Sequence, residues 1–289
     1  MRVVRRSLAR LGLLFGVTVQ AVAALAALPR LAWAQDVGIL LRLNPHLGDT
    51  LHTWLDQQME VTASMPSGAS SSSPRTITTS MAIHSRTIVR SVQAASTTVM
   101  TIVDSALVSS NEARGSAQAA DAQRAMRGQQ MMLQLGADGS VESAWDARGV
   151  LVSKEAAQAM AAMPAVFPKT TVKVGDRWTR EMPLPASGPF GSSGSGHARA
   201  VFHLDSIGRG NVAYVSMKGD ILPDSGSQGV ELSGSISGAM QIDRGRGWMT
   251  DSRFTVLLRS LVKPSLATGL IPMQFMTRVT QRLRTMDKR

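Results

Sequence analysis

The stretch VELSGSISGAMQID, Val230 to Asp243, decides how the chain is read. Val230, Leu232, Gly234, Ile236, Gly238, Met240 and Ile242 fall on one side of an extended backbone, and Glu231, Ser233, Ser235, Ser237, Gln241 and Asp243 on the other. A two-residue period of this kind belongs to a strand with one buried face. At about 3.3 Å per residue the stretch spans about 45 Å, roughly twice a usual strand. Strands of that length suit a strongly curved sheet, and the two glycines in the buried register are where it can bend.

The same alternation marks strands near 56–64, 75–91, 96–109, 129–135, 140–146, 176–182, 197–207, 211–219, 247–260 and 271–286. Ala137-Asp138-Gly139, Arg209-Gly210-Asn211 and Arg244-Gly245-Arg246-Gly247 are turn signals between neighbouring runs. The expected fold is therefore mainly β: a strongly curved antiparallel sheet, a half-barrel or open barrel, with one or two short helices. An Ala-rich run over 111–128 is one helix candidate. The other is 153–164, with Ser153 as N-cap, Glu155 in the first turn and Pro164 as the stop. The segments 66–74 and 186–196 are Gly/Ser-rich loops.

Two stretches resemble each other. HLGDTLHTWLDQQM (46–59) and VKVGDRWTREMPLP (172–185) share a Gly-Asp, an apolar residue two places on (Leu51, Trp178) and a nearby Trp. Each is followed by a strand, a Gly/Ser loop, further strands and a closing hairpin, in which Gln134 answers to Gln241 and Trp145 to Trp248. The expectation is a first β module over 35–152, a helical linker over 153–170 and a second β module over 171–289, sharing one sheet. In this reading Gly175-Asp176 makes a turn and Trp178 packs inward.

Residues 1–34 read as an address. MRVVRRSLAR is a basic segment, LGLLFGVTVQAVAALAAL an apolar one, and Ala32-Trp33-Ala34 a cleavage signal. Export through the general secretory route or, from Arg5-Arg6, the twin-arginine route places the mature chain in the periplasm or outside. The signal takes five arginines with it, and the formal net charge falls from +11 to +6. The remaining charges are scattered without an aromatic-basic stripe, which argues against a nucleic-acid partner. The absence of cysteine excludes a lipoprotein anchor, a thiol nucleophile and a thiolate metal site. One tyrosine and scattered charges do not supply the aromatic girdles of an outer-membrane barrel, so the mature chain is not expected to span a membrane.

Catalytic patterns are missing. In GSISG (234–238) Ile236 stands where a nucleophile elbow needs serine. GRGNVA (208–213) joins two strands and opens no helix, so it is a hairpin and not a dinucleotide loop. In GHARAVFHLD (196–205), His197 and His203 are about 20 Å apart along a strand, too far to share an ion. Only His203 and Asp205 could cooperate. No enzyme activity, cofactor or metal is expected.

Methionine is abundant: Met59, Met81, Met131, Met132, Met217, Met240, Met273 and Met276 all lie in strand candidates. A Met-lined concave sheet adapts to varied apolar shapes. The candidate ligand-binding residues are Met217, Leu232, Ile236, Met240, Trp248 and Phe254.

VKVGDRWTREMPLP together with GSISGAMQIDRGRGWMTDSRF resembles uncharacterised secreted bacterial families of unknown function, over the last 120 residues or so. In architecture alone, the curved sheet resembles half-barrel lipoprotein carriers of the LolA and LolB kind. That resemblance implies a lipid or other apolar ligand on the concave face. The alternative is an envelope scaffold that binds another protein and no small molecule.

Overall fold

The computed structural model describes residues 38–64, 74–152, 167–183, 196–224, 230–262 and 273–287. The signal segment, the helix expected over 153–164 and nearly all of the two Gly/Ser loops lie outside the described residues.

Eleven strands form the described fold: β1 (Thr50–Ser64), β2 (Arg75–Val92), β3 (Ser96–Ser110), β4 (Gln130–Gly136), β5 (Val141–Asp146), β6 (Arg177–Pro183), β7 (Gly196–Gly208), β8 (Val212–Pro223), β9 (Val230–Asp243), β10 (Trp248–Val262) and β11 (Met273–Asp287). Helix α1 (Ala113–Met126) is inserted between β3 and β4. It packs against β3, with Ala119 buried and the Val108 N–H donating to Gln123 Oε1 at 3.3 Å.

All pairings are antiparallel, in the order β5-β4-β3-β2-β1-β11-β10-β9-β8-β7-β6. Two meanders thus join where β1 pairs with β11. The outermost strands, β5 and β6, do not pair with each other, and the sheet stays open.

The sheet is nevertheless strongly curled. Nine strand spacings of about 4.8 Å separate β4 from β6, so a flat sheet would hold them more than about 40 Å apart. Yet Arg180 of β6 lies 3.1 Å from Asp138, in the β4–β5 turn. Glycines on the inner rows make the curl possible. A Cβ added to Gly219 would lie 2.4 Å from the Arg199 carbonyl oxygen, and one on Gly234 would lie 2.2 Å from that of Leu257. No side chain fits while neighbouring backbones approach that closely.

Register sorts the two faces. The inner rows run Leu204–Val215–Met240–Ser252–Leu283 and Phe202–Met217–Gly238–Phe254–Gln281 across β7, β8, β9, β10 and β11. Phe202, Leu204, Ile242 and Met249 are fully buried there. Each such side chain contributes about 1.5–3 kcal/mol by leaving water. The outer rows are mixed: Ser233, Ser235, Ser237, Arg253, Arg259 and Arg278 are exposed, with Val201, Leu257 and Met276 exposed among them.

One core element has no counterpart in the strand pattern. Residues 38–44 bury Ile39, Leu41 and Leu43 and expose Leu40, Arg42 and Asn44. This segment pairs Ile39 with Val172, donates from the Leu43 N–H to the Ala137 oxygen at 2.8 Å, and from the Asn44 N–H to the Arg246 oxygen at 2.8 Å. It therefore ties the approach to β6, the β4–β5 turn and the β9–β10 turn together at one end of the curl.

The tryptophans near the two Gly-Asp pairs do not correspond. Trp178 stacks on Phe202 with ring centroids 5.6 Å apart. Trp54 stands on the other face, edge-on to His84 at 5.2 Å and under the Arg284 guanidinium at 5.9 Å. The residue in the place of Trp178 is Leu51, three positions after its glycine, which is 3 % exposed. Strand parity alone separates them: Trp54 lies an odd number of residues from Leu51 and so points the opposite way.

Candidate functional site

The six residues singled out from sequence fall in the second half of the sheet. Met217, Leu232, Met240 and Trp248 are buried, and Ile236 and Phe254 are partly buried against the core. Met217, Met240 and Phe254 lie in the inner rows, with Leu232 opposite Ser260 and Ile236 opposite Val256. Trp248 faces Asp243, and it is Met249 that continues the inner row opposite Ile242. Here the inner face is filled by its own side chains and by the 38–44 segment.

Met217 and Ile236 also border an open depression of about 930 Å³, and Phe254 one of about 810 Å³, while a smaller and more enclosed space lies under the first half. A cavity of about 230 Å³ is enclosed by β1, β2, β3, β4 and β11, with Met126 at the C-terminal end of α1. Its apolar wall is Leu55, Met81, Ile83, Val103, Met131 and Leu133. The polar groups on the wall are uncharged: Thr53, Gln57, Ser85, Thr101, Gln129 and Gln281. Thr101 is satisfied by Thr87, their hydroxyls 3.1 Å apart, and Thr53 lies 3.4 Å from the Thr285 hydroxyl. Gln57 and Gln281 stand directly opposite each other across β1 and β11. Met81 and Met131 belong to the methionines noted in the sequence. Leu55, Ile83 and Leu133 carried only the signal of inward parity.

The His203 group does not have the geometry of a nucleophilic site. Asp205 Oδ1 accepts from the Ser216 hydroxyl at 2.9 Å and sits 2.5 Å from His203 Nδ1. The carboxylate thus stands between hydroxyl and imidazole. A triad needs the imidazole between them, because it is the imidazole that takes the hydroxyl proton. His197 is engaged separately, 2.9 Å from Asp224. Among the described residues no three His, Cys, Asp or Glu side chains are grouped to hold a metal.

The gap between the outermost strands is closed at one end by Asp138. Its carboxylate accepts from the Ser140 N–H at 3.0 Å, the Ser140 hydroxyl at 2.5 Å and Arg180 Nη2 at 3.1 Å. Arg180 also donates to the Phe167 carbonyl oxygen. Burial pushes the Asp138 carboxyl up, but the Ser140 hydrogen bonds and the Arg180 guanidinium outweigh it and hold the group below its ordinary value.

Fold and cavity together define an open, curled antiparallel β-sheet protein with an uncharged apolar pocket on its inner face. Residues 151–249, about a third of the chain, match the model described as a family of unknown function, DUF6263. The match runs from the end of β5 to the start of β10 and so takes in Gly175-Asp176 and the Val230–Asp243 strand. No curated protein matches. Among solved structures, the outer membrane protein OprG from Pseudomonas aeruginosa aligns over 85% of this chain and 99% of its own, at 7% identity and a TM-score of 0.24. That score carries no argument about fold or function.

Proposed function

We propose that this is a non-catalytic protein of the cell envelope that binds a hydrophobic or lipid-like ligand on the inner face of its sheet. The observation that carries the reading is the 230 Å³ cavity, walled by aliphatic and methionine side chains and free of charged groups. Such a wall favours apolar matter by about 0.8 kcal/mol per methylene transferred from water. Three methionines, Met81, Met126 and Met131, let the wall adjust to chains of different shape. The facing amides of Gln57 and Gln281 supply hydrogen bonds for a carbonyl or hydroxyl at the ligand's polar end.

Placement in the envelope is supported by the export signal read in residues 1–34. The arginines and serines spread through the outer rows support a protein that does not span the membrane, since an outer-membrane barrel turns an unbroken apolar band outward. The matched turns at Gly48-Asp49 and Gly175-Asp176 support a further part of the reading. In it, β1–β5 and β6–β10 are copies of one five-strand module, with α1 inserted in the first copy and β11 added after the second.

Native mass spectrometry of protein purified from the envelope tests the binding reading. The expected spectrum contains adducts of lipid mass, and these diminish in Ile83→Trp, whose indole takes up part of the cavity. Ligand-free wild type, or adducts undiminished by the substitution in a folded variant, overturns the proposal.

A further inference from the structure

The end of the sheet that carries the short turns gathers arginines from distant parts of the chain. The 38–44 segment presents Arg42 on its exposed side. Gly247 permits its approach, because a Cβ there would lie 1.7 Å from the Arg42 carbonyl oxygen. Asn44 then bonds to Arg246 and Gly245 of the β9–β10 turn. In that turn the Arg244 N–H donates to the Asn211 oxygen at 2.9 Å, which brings in Arg209 from the β7–β8 turn. On the other side Gly48 donates to the Val89 oxygen at 3.0 Å, which sets exposed Arg90 beside the same segment. Backbone bonds thus hold five arginines, 42, 90, 209, 244 and 246, in one cap.

The carboxylates of this end are engaged. Asp49 accepts from the His46 N–H at 2.9 Å and lies 3.5 Å from Arg246 Nε. Asp243 accepts from the Gly245 N–H at 2.8 Å and the Arg246 N–H at 3.4 Å. Asp138 and Asp176 of the neighbouring turns are engaged as well, by Arg180 and by the Lys173 N–H, so the arginines of the cap outnumber the acids beside them and favour an anionic partner. Apolar side chains stand among the arginines: Leu47 is 71% exposed and Leu40 49%. Loop-borne leucines among arginines suit a surface that is anionic at its face and apolar just beneath.

We infer that this cap docks the protein onto an anionic bilayer surface. The arginines meet headgroup phosphates while Leu47 and Leu40 enter the layer below them. The site lies on turns and not on the cavity wall, so docking does not depend on a bound ligand.

Vesicle sedimentation tests the inference, with protein expressed as the full chain and purified from the host envelope. Phosphatidylcholine vesicles are compared with vesicles that also contain phosphatidylglycerol. Wild type is expected to sediment only with the anionic vesicles, and to release as salt rises. Each arginine near such a surface is worth about fivefold, so R42Q/R209Q/R244Q loses on the order of 100-fold in partitioning. The outer-face control R253Q/R259Q/R278Q, equal in charge removed, changes a few-fold at most. Arg209→Gln alone, in an exposed turn, loses several-fold even if the triple variant does not fold. Equal sedimentation with both vesicle types, or equal loss in the control, overturns the assignment. So does loss of docking in Ile83→Trp, which would tie the attraction to the cavity's ligand. Retained docking in Ile83→Trp with no lipid adduct in wild type would sink the ligand reading and leave this one standing.

Discussion

Asp49 and Asp176 close the same turn in the two halves of the sheet. Asp49 Oδ2 accepts from the N–H of His46, three residues back, at 2.9 Å, and Asp176 Oδ2 from the N–H of Lys173, also three back, at 2.8 Å. The glycine before each has positive φ, 84° at Gly48 and 96° at Gly175. The turn at Asp49 exchanges two backbone bonds with Val89, and that at Asp176 exchanges two with Leu204. A bulge follows at both places, between Val89 and Ser91 and between Leu204 and Ser206. The likeness thus extends from the turn to the strand it rests on.

Equal turns predict similar losses. Asp49→Ala and Asp176→Ala should each lower stability by about 1 kcal/mol, the ordinary worth of a hydrogen bond that orders a turn, and Asp49→Ala by somewhat more because its carboxylate also faces Arg246 at 3.5 Å. The two carboxylates share no partner, so the double variant should lose the sum to within about 0.5 kcal/mol. Urea unfolding of the four proteins measures this. A double variant no weaker than either single would mean that the turns act as one unit.

Gly234 and Gly128 predict opposite behaviours of alanine. At Gly234 the new Cβ meets the Leu257 oxygen at 2.2 Å and the Leu258 Cα at 3.1 Å, both backbone. Gly234→Ala must push β10 away and should cost about 1–3 kcal/mol or more. At Gly128, with φ of 77°, nothing lies within 4 Å, and the cost is the left-handed backbone alone, about 1–2 kcal/mol. The difference shows in the spectrum of the folded state: only Gly234→Ala should shift amide resonances across β8, β9 and β10. Unshifted resonances there would mean that the curl does not depend on this glycine.

Asp138 gives the fold an acid-sensitive seam. Its folded pKa lies below the unfolded value of about 3.9, so its stabilisation is complete above that value and is lost as pH falls through the folded one. Asp138→Asn keeps much of the shape but cannot carry the charge that faces Arg180. Wild type should therefore melt higher than Asp138→Asn at neutral pH, and the gap should shrink below about pH 4. A gap that stays constant into acid would assign the stabilisation to shape and not to charge.

The strands were legible in the sequence because each buries one face, and period two survives in residues such as those of Val230–Asp243. Helix α1 was legible from its alanines. The 38–44 segment was not, although it alternates, because its bonds run to three turns and not to a neighbouring strand. Parity tells which face Met217 and Met240 take, but not how Phe202, Leu204 and the 38–44 segment pack around that face. Space on the inner face depends on the insertion of α1, whose Met126 roofs the first half. No local pattern reports that.

Gln57 and Gln281 supply a last test, because they face each other on the cavity wall and are half-buried. The double variant Gln57→Leu/Gln281→Leu should fold with a stability within about 1 kcal/mol of wild type. If the amides hold a ligand's polar end, the variant should also lose its preference for acyl chains that bear a carbonyl over plain alkanes of equal length. Displacement of a fluorescent fatty acid by methyl esters and by alkanes measures that preference. Wild type should favour the ester about fivefold to tenfold, the worth of one or two hydrogen bonds, and the variant should not discriminate. A variant that folds and is equally discriminating would show that the two amides take no part in recognition.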